Sequence, residues 1–374
     1  MYNIEICDSL EKLEKREKEW LELELKSNNI NINTNYYWIK SYLEVFLNRE
    51  DEAFGYEKKP LILFLYKNGL LKAIAPFIVV VRKKYGLKFK FIEFIGQQWA
   101  GTLIDIIGYD LQKEDFNQIF NYLYSNYKFD LIHLKYIPEY TRTIDINSRN
   151  SAILSGCPFI ELSEYQNFED YYSKIYSKGT KQNIRTAHNN IKKMNYEYHS
   201  IKYQPSDKFL QEIINISKTK LNDSKHSIYL DKDKKLFVEK LLSYYDNDVI
   251  FCELNNKKVA YRLNFYYRNN KYCFDASYDR NTPKKLRVGN LSLHESVKDS
   301  FSKQLGIYTE GIGLDEYKLA FMKRVLRVYS YTVKGNTIAA FLLEKKFLKN
   351  QKKIQEEVLQ HLDKFKISNF WGAK

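Results

Sequence analysis

Glycine and proline are scarce in this chain of 374 residues, at 14 and 6. Tight turns therefore have few of the residues that usually make them, and left-handed backbone positions must fall to Asn and Asp. Cysteine is rarer still. Cys7, Cys157, Cys252 and Cys273 stand far apart with no Cys-x-x-Cys spacing, which signals neither a zinc site nor a disulfide framework, so no metal is expected. The longest apolar stretch, around 73–81, falls short of the about 20 residues a membrane-spanning helix needs. The opening segment MYNIEICDSLEKLEKREKEW lacks an apolar signal core, and the expectation is a cytoplasmic protein without a membrane span. No Lys/Arg-rich tail is present.

Apolar residues make up 44% of the chain and aromatics 16%, with 32 Tyr and 23 Phe, which is ample surface to bury and far from a disordered composition. The length exceeds what one core usually serves, so two domains are expected. The net charge of +14 favours polyanions such as phosphorylated small molecules, nucleic acid or anionic membranes. The basic residues are scattered among acids, as a solvated surface is, which speaks against a nucleic-acid partner.

Periodicity predicts a strand over 2–7, a helix over 9–26, a helix over 35–47, and strands over 61–66 and 71–82 joined at Asn68-Gly69, a hairpin signal. Strands over 89–95 and 103–107, a helix over 112–127 and a strand over 129–134 follow. After the polar stretch 140–151 the order begins again. It runs through a strand over 158–162, helices over 168–194, a strand over 196–203, helices over 205–221 and 232–245, and strands over 249–254, 258–267 and 272–278. A helix over 288–304, a strand over 306–310, a helix from Glu316 and a strand over 327–333 complete it. The repeat of element order predicts an α/β (α+β) chain of two copies of one architecture side by side, 1–150 and 151–335, followed by a helical tail, 336–374, that docks through Leu343, Phe347, Ile354, Val358 and Leu362.

In the strand 272–278, alternation sends Tyr272, Phe274 and Ala276 one way and Cys273, Asp275 and Ser277 the other, a small polar face with one carboxylate. Beyond it, Arg287-Val288-Gly289-Asn290-Leu291 opens a helix whose unpaired N–H groups suit a pyrophosphate, with Lys284, Lys285 and Arg287 supplying charge. Lys178, Lys181 and Arg185 share a helix face that suits a phosphate-bearing acceptor or plain solvent. Gln97, Gln98 and Trp99, in FIGQQWAGTLIDI, suit a sugar or base, or a structural loop. His294, within a helix, reads as packed.

Four blocks in order, YSKGTKQNIRTAHNNIKKM, KKVAYRLNFYYRNNKYCFDASYD, LRVGNLSLHESV and YTEGIGLDEYKLAF, resemble the CelD/BcsL-like group of the GNAT acyltransferase superfamily, itself related in architecture to Fem-type aminoacyl transferases. The resemblance covers roughly 168–333 and is diffuse in the N-terminal half. It implies tandem GNAT-like domains, each a mixed central sheet flanked by helices, the first degenerate and contributing to an acceptor cleft. It also implies an acyl-CoA donor lying between the strand of Asp275 and the strand ending at Glu310. The donor would meet Arg287, Val288, Gly289, Asn290 and Leu291 at the helix start, and Ser277 on the strand. The superfamily pattern has Arg or Gln, two spacers and then Gly, and Arg287-Val288-Gly289 shortens it. By the same analogy Asp275 is the base, Tyr317 the acid and Glu310 the rival base.

The function expected is transfer of an acyl group from acyl-CoA to the amine of a nucleotide-linked amino sugar, such as a dTDP-linked amino-dideoxyhexose, in surface polysaccharide (O-antigen) synthesis. The partners are small molecules, and a homodimer is compatible. The alternatives are a Fem-like aminoacyl-tRNA-dependent transferase and a non-catalytic binding protein on the same scaffold.

Overall fold

Asn68 and Gly69 both take positive φ, 53° and 80°, the type I′ turn that joins two right-twisted strands with a two-residue loop. The same turn recurs at Asn255-Asn256 (φ 50° and 63°) and at Arg268-Asn269 (φ 47° and 60°), so Asn does the work that scarce Gly leaves undone. The computed structural model describes residues 1–27, 31–84, 86–141, 144–203, 207–219, 227–365, 367 and 369–370. The residues group into two units, one built from Met1–Gly156 and from the segment that begins at Leu326, the other from Cys157–Val325.

The first unit runs β1 (Tyr2–Cys7), α1 (Leu10–Glu14), α2 (Glu17–Lys26), α3 (Tyr36–Phe46), β2 (Glu57–Lys67), β3 (Leu70–Lys84), β4 (Leu87–Phe94), β5 (Ile107–Gly108), α4 (Lys113–Asn126) and β6 (Leu131–Pro138). β7 (Ser151–Glu161) carries the chain onward. The second unit continues with α5 (Phe168–Ile175), α6 (Lys178–Lys193), β8 (Tyr198–Tyr203), α7 (Asp207–Lys218), α8 (Lys232–Tyr244), β9 (Asn247–Leu254), β10 (Lys257–Tyr267) and β11 (Asn270–Tyr278). It closes with α9 (Val288–Ser300), β12 (Ile307–Thr309) and α10 (Glu316–Phe321), before β13 (Arg324–Lys334) and α11 (Ile338–Lys364). The outer residues of the helix expected over 205–221 lie outside the described residues.

In the first unit the strand order is β1-β2-β3-β4-β6-β13. Every pair in it is antiparallel except β4 with β6. In the second the order is β7-β12-β11-β10-β9-β8, again with one parallel pair, β11 with β12. Each unit is thus a mixed sheet flanked by helices, the α/β class expected. β2 reads as an unbroken apolar run because both its faces are covered. Leu61, Leu63 and Leu65 join Phe116, Ile119 and Leu123 of α4, while Phe64 meets Trp20 of α2 edge-on at 6.1 Å. Burying such side chains contributes about 1.5–3 kcal/mol each. In the second unit Leu291, Leu293 and Val297 of α9 pack with Ala260 and Tyr308 from the sheet.

Two sequence expectations are corrected. The strand over 103–107 shrinks to Ile107–Gly108, paired with Ala73 and Ile74. The preceding backbone N–H groups bond elsewhere, Ile104 to the Tyr136 carbonyl at 2.8 Å and Ile106 to Asp105 Oδ1 at 2.8 Å. The helix over 9–26 divides at Lys15 and Arg16, where Arg16 bonds Glu5, Glu19 and Tyr66.

Candidate functional site

Both parallel ladders are short, and what fills the space beyond them differs. In the first unit β4 and β6 pair only at Phe91 with Leu131 and Ile92 with Ile132, then part. Gln97 is wedged at the parting. Its Oε1 accepts the N–H groups of Phe94 (3.1 Å) and Lys135 (3.0 Å), and its Nε2 donates to the His133 carbonyl (2.9 Å). One buried amide thus closes the gap. The helix after this gap, α4, starts at Lys113 and carries Glu114 and Asp115 in its first turn, and Asp115 Oδ2 accepts the Gln112 N–H at 2.8 Å in a capping box. An acidic, capped helix start does not attract an anion.

In the second unit β11 and β12 pair only at Lys271 with Tyr308 and Tyr272 with Thr309. Cys273 and Glu310 are the first residues past the ladder, and among the described residues Gln97 has no counterpart there. The helix that follows, α9, is capped by no side chain. The Arg287 carbonyl accepts the N–H groups of Asn290 and Leu291, which leaves those of Val288 and Gly289 as donors at the tip, where the helix dipole is positive. Arg287 holds the left-handed conformation (φ 49°), unusual for a residue with a side chain. Lys284, Lys285 and Arg287 are all exposed beside it. Gly289 admits a ring rather than a ligand, since a Cβ there would sit 3.0 Å from Tyr278 Cδ1. Arg280 stacks on that ring at 4.3 Å.

The polar face expected on β11 is split. Leu263 opposes Asp275 while its neighbour Asn264 opposes Cys273, so the ladder carries an extra residue, Phe274, and alternation slips by one. Neighbours on β10 point to opposite faces, and Cys273 therefore departs from the face that Asp275 and Ser277 share. This corrects the alternation read from sequence.

On the Cys273 face, Arg262 ion-pairs with Glu310, and the Tyr308 hydroxyl donates to the other Glu310 oxygen. Ser296 of α9 lies 2.9 Å from that hydroxyl. Arg262 is 3% exposed and Glu310 7%. Burial works against the guanidinium charge, but Glu310, Cys273, Tyr308 and Tyr317 together outweigh it, and the Arg262 pKa is raised. Although 41% of Tyr317 is accessible, the protein atoms crowding its phenol, and next the Glu310 charge, push its pKa up. Burial likewise raises the Cys273 thiol, which leaves it a poor nucleophile.

On the other face, Tyr261 donates its hydroxyl to Asp275 Oδ2 at 2.5 Å. Tyr229 and Tyr261 are buried, and their pKa values are raised well above the ordinary phenol by burial first and the Asp275 charge second. The Tyr229 hydroxyl and Ser277 Oγ make no hydrogen bond of acceptable geometry among the described residues.

Most of the remaining candidates make internal contacts. Lys181 donates to the Ser173 carbonyl at 3.0 Å and covers the Tyr172 ring, whereas Lys178 and Arg185 are exposed. Gln98 bonds Glu93 (2.6 Å), the Phe94 carbonyl (3.3 Å) and Tyr42 (3.0 Å). Trp99 meets Phe46 edge-on. His294 is packed among Phe168, Tyr172 and Tyr176, and burial lowers its pKa to about 4. Sequence reading missed Arg262, Tyr261 and Tyr229. The signal for Arg262 was a lone charge inside the apolar run of β10.

No family model matches the sequence, and no curated protein matches it. Solved structures are similar to it. FemX superposes with a TM-score of 0.53 at 9% identity, over 85% of this chain and 94% of that one. A conserved protein of unknown function from Bacteroides thetaiotaomicron gives 0.51 at 12%, over 89% and 100%. A tandem GNAT protein from the clavulanic acid biosynthesis pathway gives 0.45 at 6%, over 90% and 99%. What the chain has in common with the first two is the fold. Among the described residues no helix is long and apolar enough to cross a membrane.

Proposed function

We propose that the chain is an acyltransferase whose second unit receives an acyl-CoA donor between β11 and β12 and passes the acyl group to an amine, that of a nucleotide-linked amino sugar. The observation that carries this reading is the contrast between the two gaps. The first is closed by Gln97 and followed by an acidic, capped helix, while the second is followed by an uncapped helix beside three exposed cations. The residues fit such a donor. The Val288 and Gly289 N–H groups would hold the pyrophosphate, and Lys284, Lys285 and Arg287 would neutralise it.

In the reaction the amine nitrogen bonds to the thioester carbon, the carbon–sulfur bond breaks, the nitrogen loses a proton and the sulfur gains one. Asp275 on one face of the gap takes the proton from nitrogen, and Tyr317 on the other supplies the proton to sulfur. Glu310 is not free to act as base, because Arg262 and Tyr308 hold both its oxygens. Fixing amine and thioester side by side contributes to the rate beyond either proton transfer.

The rival reading, aminoacyl transfer from tRNA, has the fold likeness to FemX in its favour. Against it, among the described residues the longest helix of the second unit is α6 with 16 residues, and no long helical arm extends from that unit. A thiol-release assay of acyl-CoA donors against a panel of nucleotide-linked amino sugars tests the proposal. Amine-dependent thiol release is expected, and release that no amine stimulates would overturn it.

A further inference from the structure

Buried hydroxyls almost always find partners, because leaving water without a replacement hydrogen bond is costly. Two that do not, Tyr229 (4% exposed) and Ser277 (6%), flank one carboxylate on one face of the second unit's sheet. Ser277 stands directly across the ladder from Tyr261. Tyr229 lies within hydrogen-bonding reach of both Asp275 and Tyr261, although its hydroxyl makes no bond of good geometry to either. Asp275 itself is half-buried. Its Oδ2 is taken by the Tyr261 hydroxyl, and among the described residues its Oδ1 accepts no hydrogen bond. The neighbouring Ser217 and Ser227 satisfy each other at 2.8 Å, so lack of a partner is not general to this face.

We infer that Asp275 Oδ1, the Tyr229 hydroxyl and Ser277 Oγ hold the acceptor, a primary ammonium flanked by hydroxyl groups. The inference rests on the acyl-transfer reading and specifies its acceptor site. A carboxylate with one free oxygen accepts from an ammonium in a charge-assisted bond. A phenol and a serine hydroxyl beside it offer donors and acceptors to the vicinal hydroxyls of an amino sugar. Tyr261 is a positioning residue: its short bond fixes the carboxylate so that Oδ1 stays presented. Neither the basic face of α6 nor the Gln97–Trp99 loop is needed to hold the amine, since Lys181, Gln97 and Gln98 are spent on internal bonds.

The experiment measures binding of glucosamine and of glucose to the full chain by saturation-transfer NMR, in the wild type and in Asp275→Asn, Tyr229→Phe and Ser277→Ala. Coenzyme A is titrated in parallel and thermal unfolding recorded for each variant. Glucosamine is expected to bind and glucose not. Asp275→Asn should weaken glucosamine by about tenfold or more, the scale of one charge-assisted bond. Tyr229→Phe and Ser277→Ala should weaken it several-fold while unfolding at the same temperature or higher, because each removes an unpaired buried group. A hydroxyl of purely structural value would instead lower that temperature and leave glucosamine affinity unchanged. Equal binding of glucose, undiminished glucosamine binding in Asp275→Asn, or no saturable glucosamine binding up to about 100 mM overturns this assignment. Failure of coenzyme A to bind the wild type would instead remove the donor reading, and it leaves the glucosamine result interpretable by itself.

Discussion

Arg262 reaches from β10 past Cys273 of β11 to Glu310 at the end of β12, so that a buried ion pair spans the middle strand at the point where its neighbour parts from it. Such a pair adds little net stability, because desolvation offsets the attraction, but breaking it leaves a buried charge without compensation. Glu310→Gln should therefore destabilise the chain by about 3–5 kcal/mol in urea unfolding. The double variant Arg262→Met, Glu310→Leu should recover most of that loss. A double variant as unstable as the single would show that the pair is not what holds this region.

Asp275→Asn should lower kcat by about 10²-fold or more, the range of a positioned general base, with the donor's KM little changed. Steady-state kinetics with the acyl donor varied checks this, and an unchanged kcat removes Asp275 as base.

Acid stability should turn on two buried histidines. Burial lowers His294 from 6.5 to about 4 and His133 to about 3. Each is neutral in the folded chain, while the unfolded chain takes up the proton below about 6.5. Stability should fall as pH drops from about 6.5, and the His294 share, roughly 3 kcal/mol, should be fully lost by about pH 4. His294→Leu should flatten that part of the profile in urea titrations at a series of pH values, and a profile of unchanged slope would contradict the assignment.

Gln97→Ala should cost about 1–3 kcal/mol, since the N–H groups of Phe94 and Lys135 and the His133 carbonyl lose their partner. It should leave coenzyme A binding unchanged, because the first unit's helix start remains acidic. Chemical denaturation and calorimetry check the two halves separately.

Much of this architecture was legible from local chemistry. Asn68-Gly69 announced its hairpin, and the LILFL run its strand. The tip of α9 showed in Arg287-Val288-Gly289 because cations and a helix start lie in one stretch. What stayed hidden depends on partners distant in sequence. The bulge at Phe274, which separates Cys273 from Asp275, is set by the register against β10 and leaves no mark in the residues of β11 themselves. Gln97 and Gln98 looked available because an amide's partners cannot be read from its neighbours, and here they lie on β4, β6 and α3. The return of the chain to the first unit at Leu326 is likewise a matter of pairing, since β13 bonds β6 from Val328 onward, some two hundred residues away in sequence.

The most direct test is a calorimetric titration of coenzyme A into the wild type and into a Lys284→Gln, Lys285→Gln, Arg287→Gln variant. One saturable site is expected, weakened about tenfold or more in the variant and less sensitive to salt there. No binding to the wild type, or equal binding to both, would contradict a donor seated at the tip of α9.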